Sequence, residues 1–237
     1  MALRGVLFDL DDTLIDSTAA DLRVWLRVAQ LLEAVVPSMD RERLRERYVG
    51  VMPGHYAELA AGRVDLQTFR RRRLDDAVSP WGAVDDDLFE QYMREKDRIV
   101  EEVRTFPDTL DVLRGLRARG VRVGLLTNGP SDFQRRKLET TALEQELDAV
   151  AVSGEIGFAK PEREAFRVAL AGLGTEPGET AMVGDSLAAD VEGALGAGLA
   201  AVVWLSADDA PPAGAASADS LTEAVRLLGL GGPPARR

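Results

Sequence analysis

Cysteine is absent from this chain of 237 residues, which excludes disulfides, thiolate zinc sites and thiol catalysis. No stretch approaches the roughly 18 uninterrupted apolar residues of a membrane helix. A charged-then-apolar signal pattern is missing from the front, because Asp9 to Asp12 interrupt any apolar run. A cytoplasmic location without membrane contact is therefore expected. Positive charge is outweighed: the formal net charge is -11, which argues against nucleic acid as a main partner, since phosphate backbones need a basic surface. Lysine is scarce. Lys96, Lys137 and Lys160 are the only three among 29 basic residues, so the position of each is informative. Histidine occurs once, as His55, and a lone histidine is more often a packing or surface residue than a catalyst.

What is present is the composition of an ordinary soluble globular protein, 46% hydrophobic and 29% charged. The length suits one large domain, or a core carrying a smaller inserted one, and a sizeable core is available.

The chain is organised around its front stretch, Gly5-Val6-Leu7-Phe8-Asp9-Leu10-Asp11-Asp12-Thr13-Leu14. Val6 to Phe8 read as a buried strand that ends in three acids within four residues. Unpaired buried carboxylates are costly, so acids at the end of a core strand need a compensating cation. An acidic turn would use the same residue types, and the remaining sequence has to decide.

From Ser17 to about Val103 the pattern is helical throughout. Leu22, Trp25, Leu26, Ala29 and Leu32 form a stripe ending at Pro37. Asp40 starts a second helix through Arg47, Asp65 N-caps a third, and Asp85 to Asp87 open a fourth that runs through Leu88, Tyr92, Ile99 and Val103. Arg70 to Arg73 read as a solvated face pairing with Asp75 and Asp76, and Trp25, Tyr56 and Trp81 as packing residues. Beyond Pro107 short apolar runs alternate with helices. Strands are predicted over 121–126, 149–152, 180–183 and 200–205, with helices over 110–119, 131–140, 162–173 and 188–197. Residues 207–217 read as a loop, 221–228 as a closing helix and 231–237 as a frayed tail. Such alternation implies an α/β fold, a Rossmann-like parallel sheet with right-handed crossovers. The predicted core is residues 1–16 with 104–237, and the helical block 17–103 is an insertion after the first strand.

In an open parallel sheet, ligands bind outside the carboxyl ends of the strands. Those ends carry Asp9, Asp11 and Thr13 after the first strand, Thr127 and Asn128 after the second, and Asp185 after the fourth, with Asp190 five residues on. Lys160 lies just past the third. Each residue type has a use in phosphoryl transfer. A carboxylate nucleophile can accept the phosphoryl group and divide hydrolysis into two easier displacements. A second carboxyl can protonate the leaving alcohol and later deprotonate water. Two or three carboxylates suit Mg²⁺, and an ammonium with a hydroxyl can neutralise and orient the non-bridging oxygens.

On these residues the chain resembles the haloacid dehalogenase-like (HAD) hydrolase superfamily over essentially its whole length. Asp9, Asp11 and Thr13 match its Asp-x-Asp-x-Thr motif, Thr127 its second motif and Lys160, followed by Pro161, its third. Gly184 and Asp185, with Asp190 downstream, match the fourth, and the helical insertion resembles the family's mobile cap. The resemblance implies Asp9 as nucleophile and Asp11 as general acid/base. It implies Mg²⁺ held by Asp9, the main-chain carbonyl of Asp11 and Asp185, with Asp190 in support. Thr127 and Lys160 would hold the phosphoryl group. Asn128 is placed with them as a phosphate-binding residue; it and Ser186 stand near enough to add hydrogen bonds, although capping suits Ser186 equally, and Asp12 receives no role.

The activity implied is that of a Mg²⁺-dependent phosphomonoesterase, acting through an aspartyl-phosphate on a small phosphorylated metabolite. The stretch 126–129 with Gln134, and 153–155, is similar to phosphoglycolate, nucleotide and N-acylneuraminate 9-phosphate phosphatases. A sugar-phosphate mutase would use the same residues, and only its product would distinguish it. Haloacid dehalogenation is disfavoured by Asp11, a carboxylate that the dehalogenases of the family lack. A phosphonatase needs a cap lysine, and the insertion holds only Lys96, at its far end. A non-catalytic scaffold on this fold would have lost the nucleophile or the acid, and neither is lost.

Overall fold

Val6, Leu7 and Phe8 are completely buried, and so are Ala181, Met182 and Val183. Strands covered on both faces are expected to be continuously apolar, and these runs are the centre of the sheet. The computed structural model describes residues 2–36, 38–60, 63–206 and 210–231. Its strands are β1 (Gly5–Phe8), β2 (Arg122–Thr127), β3 (Ala149–Val152), β4 (Thr180–Gly184), β5 (Ala201–Leu205) and β6 (Ala216–Ala218). They form one sheet in the order β3-β2-β1-β4-β5-β6, with every pairing parallel. Val6 is in register with Val123 on one side and Ala181 on the other. The chain builds outward from β1 to β3, then returns to lay β4 on the opposite edge of β1. That reversal makes the carboxyl ends of β1 and β4 the place where a crevice opens.

The described chain divides into two compact units, Met1–Thr18 with Val103–Arg237, and Ala19–Glu102. The second is built from helices: α1 (Ser17–Val35), which starts in the first unit, α2 (Arg41–Gly50), α3 (Met52–Ala60), α4 (Leu66–Val78), α5 (Asp86–Asp97) and α6 (Ile99–Glu102). Asp40, Asp65 and Asp85 are extended at the starts of α2, α4 and α5, and each accepts a hydrogen bond from the main-chain N–H three residues on. Inside this unit Trp25 packs on Tyr48 with ring centroids 5.2 Å apart, and the Arg73 guanidinium lies 3.7 Å over the Tyr48 ring. Arg71 pairs with Asp75 and Asp86, Arg72 with Glu58, and His55 Nε2 meets Asp76 at 2.8 Å. Lys96 is paired with Asp21 at 2.8 Å.

Around the sheet stand α7 (Thr109–Arg117), α8 (Ser131–Thr141), α9 (Ser153–Ile156), α10 (Arg163–Leu173), α11 (Gly193–Ala197) and α12 (Leu221–Leu227). On α10 the buried residues are Ala165, Phe166, Ala169, Leu170 and Leu173, the stripe of a 3.6-residue period. They pack with Leu7, Leu126, Met182 and Val202 of the sheet, and full burial of a side chain such as Phe166 stabilises by about 1.5–3 kcal/mol. Among the described residues no helix is long and apolar enough to cross a membrane.

The structure departs from expectation in five places, one of them the short helix α9, in a stretch given no helix from the sequence. Helix α3 was not foreseen, and the fourth predicted helix is broken at Arg98 into α5 and α6. Strand β6 lies within residues read as a loop, and the helix expected over 188–197 begins as a widened π turn, Leu187–Glu192. Pro37, residues 207–209 of the predicted loop and residues 232–237 of the predicted tail lie outside the described residues.

Candidate active site

Asp9 follows β1 directly, and its main-chain N–H donates to Val183 O of β4 at 3.0 Å, so the sheet itself fixes the residue. Its carboxylate is buried and accepts from the Lys160 Nζ, which also donates to Asp190 Oδ1 at 2.7 Å. Lys160 in turn is held through its main chain. Asn128 Nδ2 donates to Lys160 O at 2.9 Å, and Asn128 Oδ1 accepts from Lys160 N at 2.8 Å. Asn128, expected to bind phosphate, therefore has both ends of its side-chain amide on the lysine's loop.

Asp190 is wholly buried, and its second oxygen accepts from Ser186 N at 3.0 Å. There is room for it only because residue 184 has no side chain: a Cβ on Gly184 would lie 2.3 Å from Asp190 Oδ2. Asp185 is half-buried. Its Oδ1 accepts from Thr13 Oγ1 at 3.4 Å, and its main-chain O accepts from Trp204 Nε1 at 2.7 Å. Ser186 acts as a cap, with its Oγ accepting from Ala189 N at 3.2 Å. Asp12 takes a left-handed backbone (φ 56°) and accepts from both Thr18 N and Thr18 Oγ1 at 2.8 Å, which is a turn and capping role.

Asp11 has a separate set of partners. Lys137 Nζ donates to its Oδ1 at 2.6 Å, Ser17 Oγ donates to the same oxygen, and Gln134 Nε2 donates to Oδ2 at 2.9 Å. Gln134 also reaches the buried Thr127 Oγ1 at 2.6 Å. Sequence reasoning assigned no role to Lys137, Gln134 or Ser17 at the site. The signal is visible only in the structure, where the buried residues of α8 are Gln134, Lys137 and Leu138. Two polar residues on the inward stripe of a helix need buried partners.

Charge explains the titration of the cluster. Burial, with Asp190 and Asp11 nearby, pushes the Asp9 carboxyl up to about 7 against the pull of Lys160. Burial and the charges of Asp190 and Asp12 push Asp185 up to about 6. Burial works the same way on Asp11, but the Lys137 ammonium and the hydrogen bonds from Lys137, Ser17 and Gln134 outweigh it and hold that carboxyl below its usual range. Lys160 is raised: burial opposes its charge, and Asp9 and Asp190 overcome that.

Asp9, Asp185 and Asp190 each put a carboxylate oxygen within 4.8 Å of the other two, a hard oxygen set of the kind Mg²⁺ takes. With Asp190 committed to Lys160 and Ser186, Asp9 and Asp185 remain as the pair open to an ion. Counting Asp11 and Lys137, four carboxylates face two ammonium groups, an excess that a divalent cation balances.

A sequence model of the haloacid dehalogenase-like hydrolases matches residues 3–198. N-acylneuraminate-9-phosphatase from Homo sapiens is 33% identical over 215 residues, covering 89% of this chain and 85% of that protein. Phosphoserine phosphatase from Thermus thermophilus is 39% identical over 140 residues, 58% of this chain and 54% of that one. Among solved structures, a HAD phosphatase from Thermococcus onnurineus superposes with a TM-score of 0.70 at 28% identity, covering 97% of this chain and 99% of that one.

Proposed function

The chain belongs to the haloacid dehalogenase-like hydrolase family and is a phosphatase, and from that premise we propose that it is a Mg²⁺-dependent phosphomonoesterase acting on a small phosphorylated metabolite. The observation that carries the reading is a pair of carboxylates in different environments: Asp9 against Lys160 and beside Asp185, and Asp11 held by its own cation. Separate environments permit separate tasks.

Asp9 attacks phosphorus, and the bond to the leaving alcohol breaks as Asp11, carrying a proton taken up with the bound substrate, delivers it to the alcohol oxygen. Asp11 then takes a proton from the water that hydrolyses the aspartyl-phosphate and gives it up as phosphate leaves, returning both residues to their starting states. The Lys160 ammonium and the Thr127 hydroxyl hold the non-bridging oxygens. Asn128 acts one step back, by fixing Lys160. Asp9, Asp185 and the main-chain carbonyl of Asp11 would hold Mg²⁺, with Asp190 behind them. The ion supplies charge neutralisation for the phosphate. We read the helical unit as the cap, the part of the chain that chooses among substrates.

The similarity to N-acylneuraminate-9-phosphatase makes N-acylneuraminate 9-phosphate the first substrate to try, with phosphoserine next. The test is phosphate release with Mg²⁺ across a panel of phosphorylated metabolites, repeated with Asp9→Asn. Release that survives the substitution overturns the reading. An isomeric sugar phosphate in place of free phosphate identifies a mutase instead.

A further inference from the structure

We propose that Lys137 and Gln134 are positioning residues for proton transfer, which clamp both oxygens of Asp11 and leave one lone pair of its Oδ2 to exchange the proton. The inference rests on the phosphatase reading and assigns a function to two residues that the four motifs do not include.

Burial is the first argument. Lys137 is 5% exposed and Gln134 1%, and a buried lysine requires a partner for its charge. Lys137 has Asp11 Oδ1 at 2.6 Å, with the Phe133 ring 4.9 Å from its Nζ. Spacing is the second: three residues apart on α8, the two side chains share one face and reach the same carboxylate. Connection is the third. Gln134 Nε2 lies 2.9 Å from Asp11 Oδ2, 2.6 Å from Thr127 Oγ1 and 3.3 Å from Asn128 O. One amide thereby ties the loop after β1 to the end of β2. The turn is shaped for it. Gly129 has φ 148°, and a Cβ there would sit 3.0 Å from both Gln134 Cγ and Cδ, so the glutamine stem lies where a side chain at 129 would be.

The hydrogen bonds leave one site of the Asp11 carboxylate open. An ionised carboxylate offers about four lone-pair sites. Lys137 and Ser17 occupy the two on Oδ1, and Gln134 occupies one on Oδ2. The remaining Oδ2 site is the one open to take up a proton when substrate binds and to pass it to the alcohol oxygen as its bond to phosphorus breaks, which returns Asp11 to its ionised form. A carboxyl free to rotate would present that site only part of the time, and proton transfer depends on aim before acidity.

The experiment measures kcat/KM, with Mg²⁺, for a series of alkyl and aryl phosphates of graded leaving-group acidity, using the unaltered protein, Lys137→Met and Gln134→Leu. Acidic phenols depart with little help from a proton, whereas alcohols need it. Both variants are expected to lose activity increasingly along the series, by on the order of tenfold or more at the alkyl end, so that the dependence on leaving-group pKa steepens. A fall by one common factor across the series, or no fall at all, overturns the proposal. Gln134→Leu carries the test alone if Lys137→Met fails to fold. Absence of turnover by the unaltered protein defeats the phosphatase reading and this inference together; parallel lines defeat the inference alone.

Discussion

Substituting Gly184 by alanine should damage the site from beneath. The new Cβ would lie 2.3 Å from Asp190 Oδ2, 2.4 Å from its Cγ and 2.6 Å from its Cβ, against about 3.5–4.0 Å for ordinary carbon contacts. Asp190 cannot tilt away cheaply, since one oxygen is on Lys160 at 2.7 Å and the other on Ser186 N at 3.0 Å. If the side chain stays, the end of β4 must shift, and overpacking of this kind costs about 1–3 kcal/mol. If it moves, Lys160 loses a buried partner, a change that costs about 3–5 kcal/mol. The expected destabilisation is therefore about 1–5 kcal/mol, read as a lowered urea midpoint, with phosphate release falling as Lys160 loosens. Gly178 is the control, because nothing lies within 4 Å of where its Cβ would be, and Gly178→Ala should leave both measurements unchanged. If Gly184→Ala matches the unaltered protein in midpoint and turnover, Asp190 does not pack as described.

Asn128→Ala removes two hydrogen bonds from the main chain of Lys160, worth about 1–3 kcal/mol together. It should lower kcat more than a surface substitution does, and an unchanged kcat would remove Asn128 from the positioning of Lys160. Metal and pH are linked through Asp9 and Asp185, whose carboxyls are raised to about 7 and about 6. Between the usual carboxylate range and those values the folded protein binds more protons than the unfolded one. The metal-free protein should therefore lose stability as pH rises from roughly 4 to 7. Asp11, held low, contributes in the opposite sense, with stability lost only on acidification below the usual range. Mg²⁺ needs the ionised carboxylates, so its thermal shift should be small at pH 5 and grow towards pH 8; a shift independent of pH would contradict this linkage. Chelation of divalent metal should abolish phosphate release and added Mg²⁺ restore it, and activity that persists through chelation removes the metal from the account.

The parts of the fold that were legible in sequence are those where local preference and tertiary demand agree. The runs at Val6 to Phe8 and Ala181 to Val183 are apolar because both faces of the sheet are covered, and the aspartates at 40, 65 and 85 cap helices by their own chemistry. Strand β6 was hidden because Ala216-Ser217-Ala218 has little strand preference of its own. It exists through edge pairing with β5, where Val203 is in register with Ala216. Helix α3 carries Pro53 and Gly54 near its start, residues that read as punctuation in a sequence. At the site, acids and a lysine at strand ends were visible because the fold gathers strand ends. The clamp on Asp11 was not, because it comes from the side of a helix. Gln134 and Lys137 look like solvated residues until the burial of that stripe is known.

The central claim is that Asp9 becomes phosphorylated. Rapid acid quench of the protein turning over a substrate with Mg²⁺, followed by peptide mass spectrometry, tests it most directly. One phosphoryl group on the peptide containing Asp9, absent from Asp9→Asn along with turnover, is the expected result. Sustained phosphate release with no phosphoryl group on Asp9 at any quench time would contradict it.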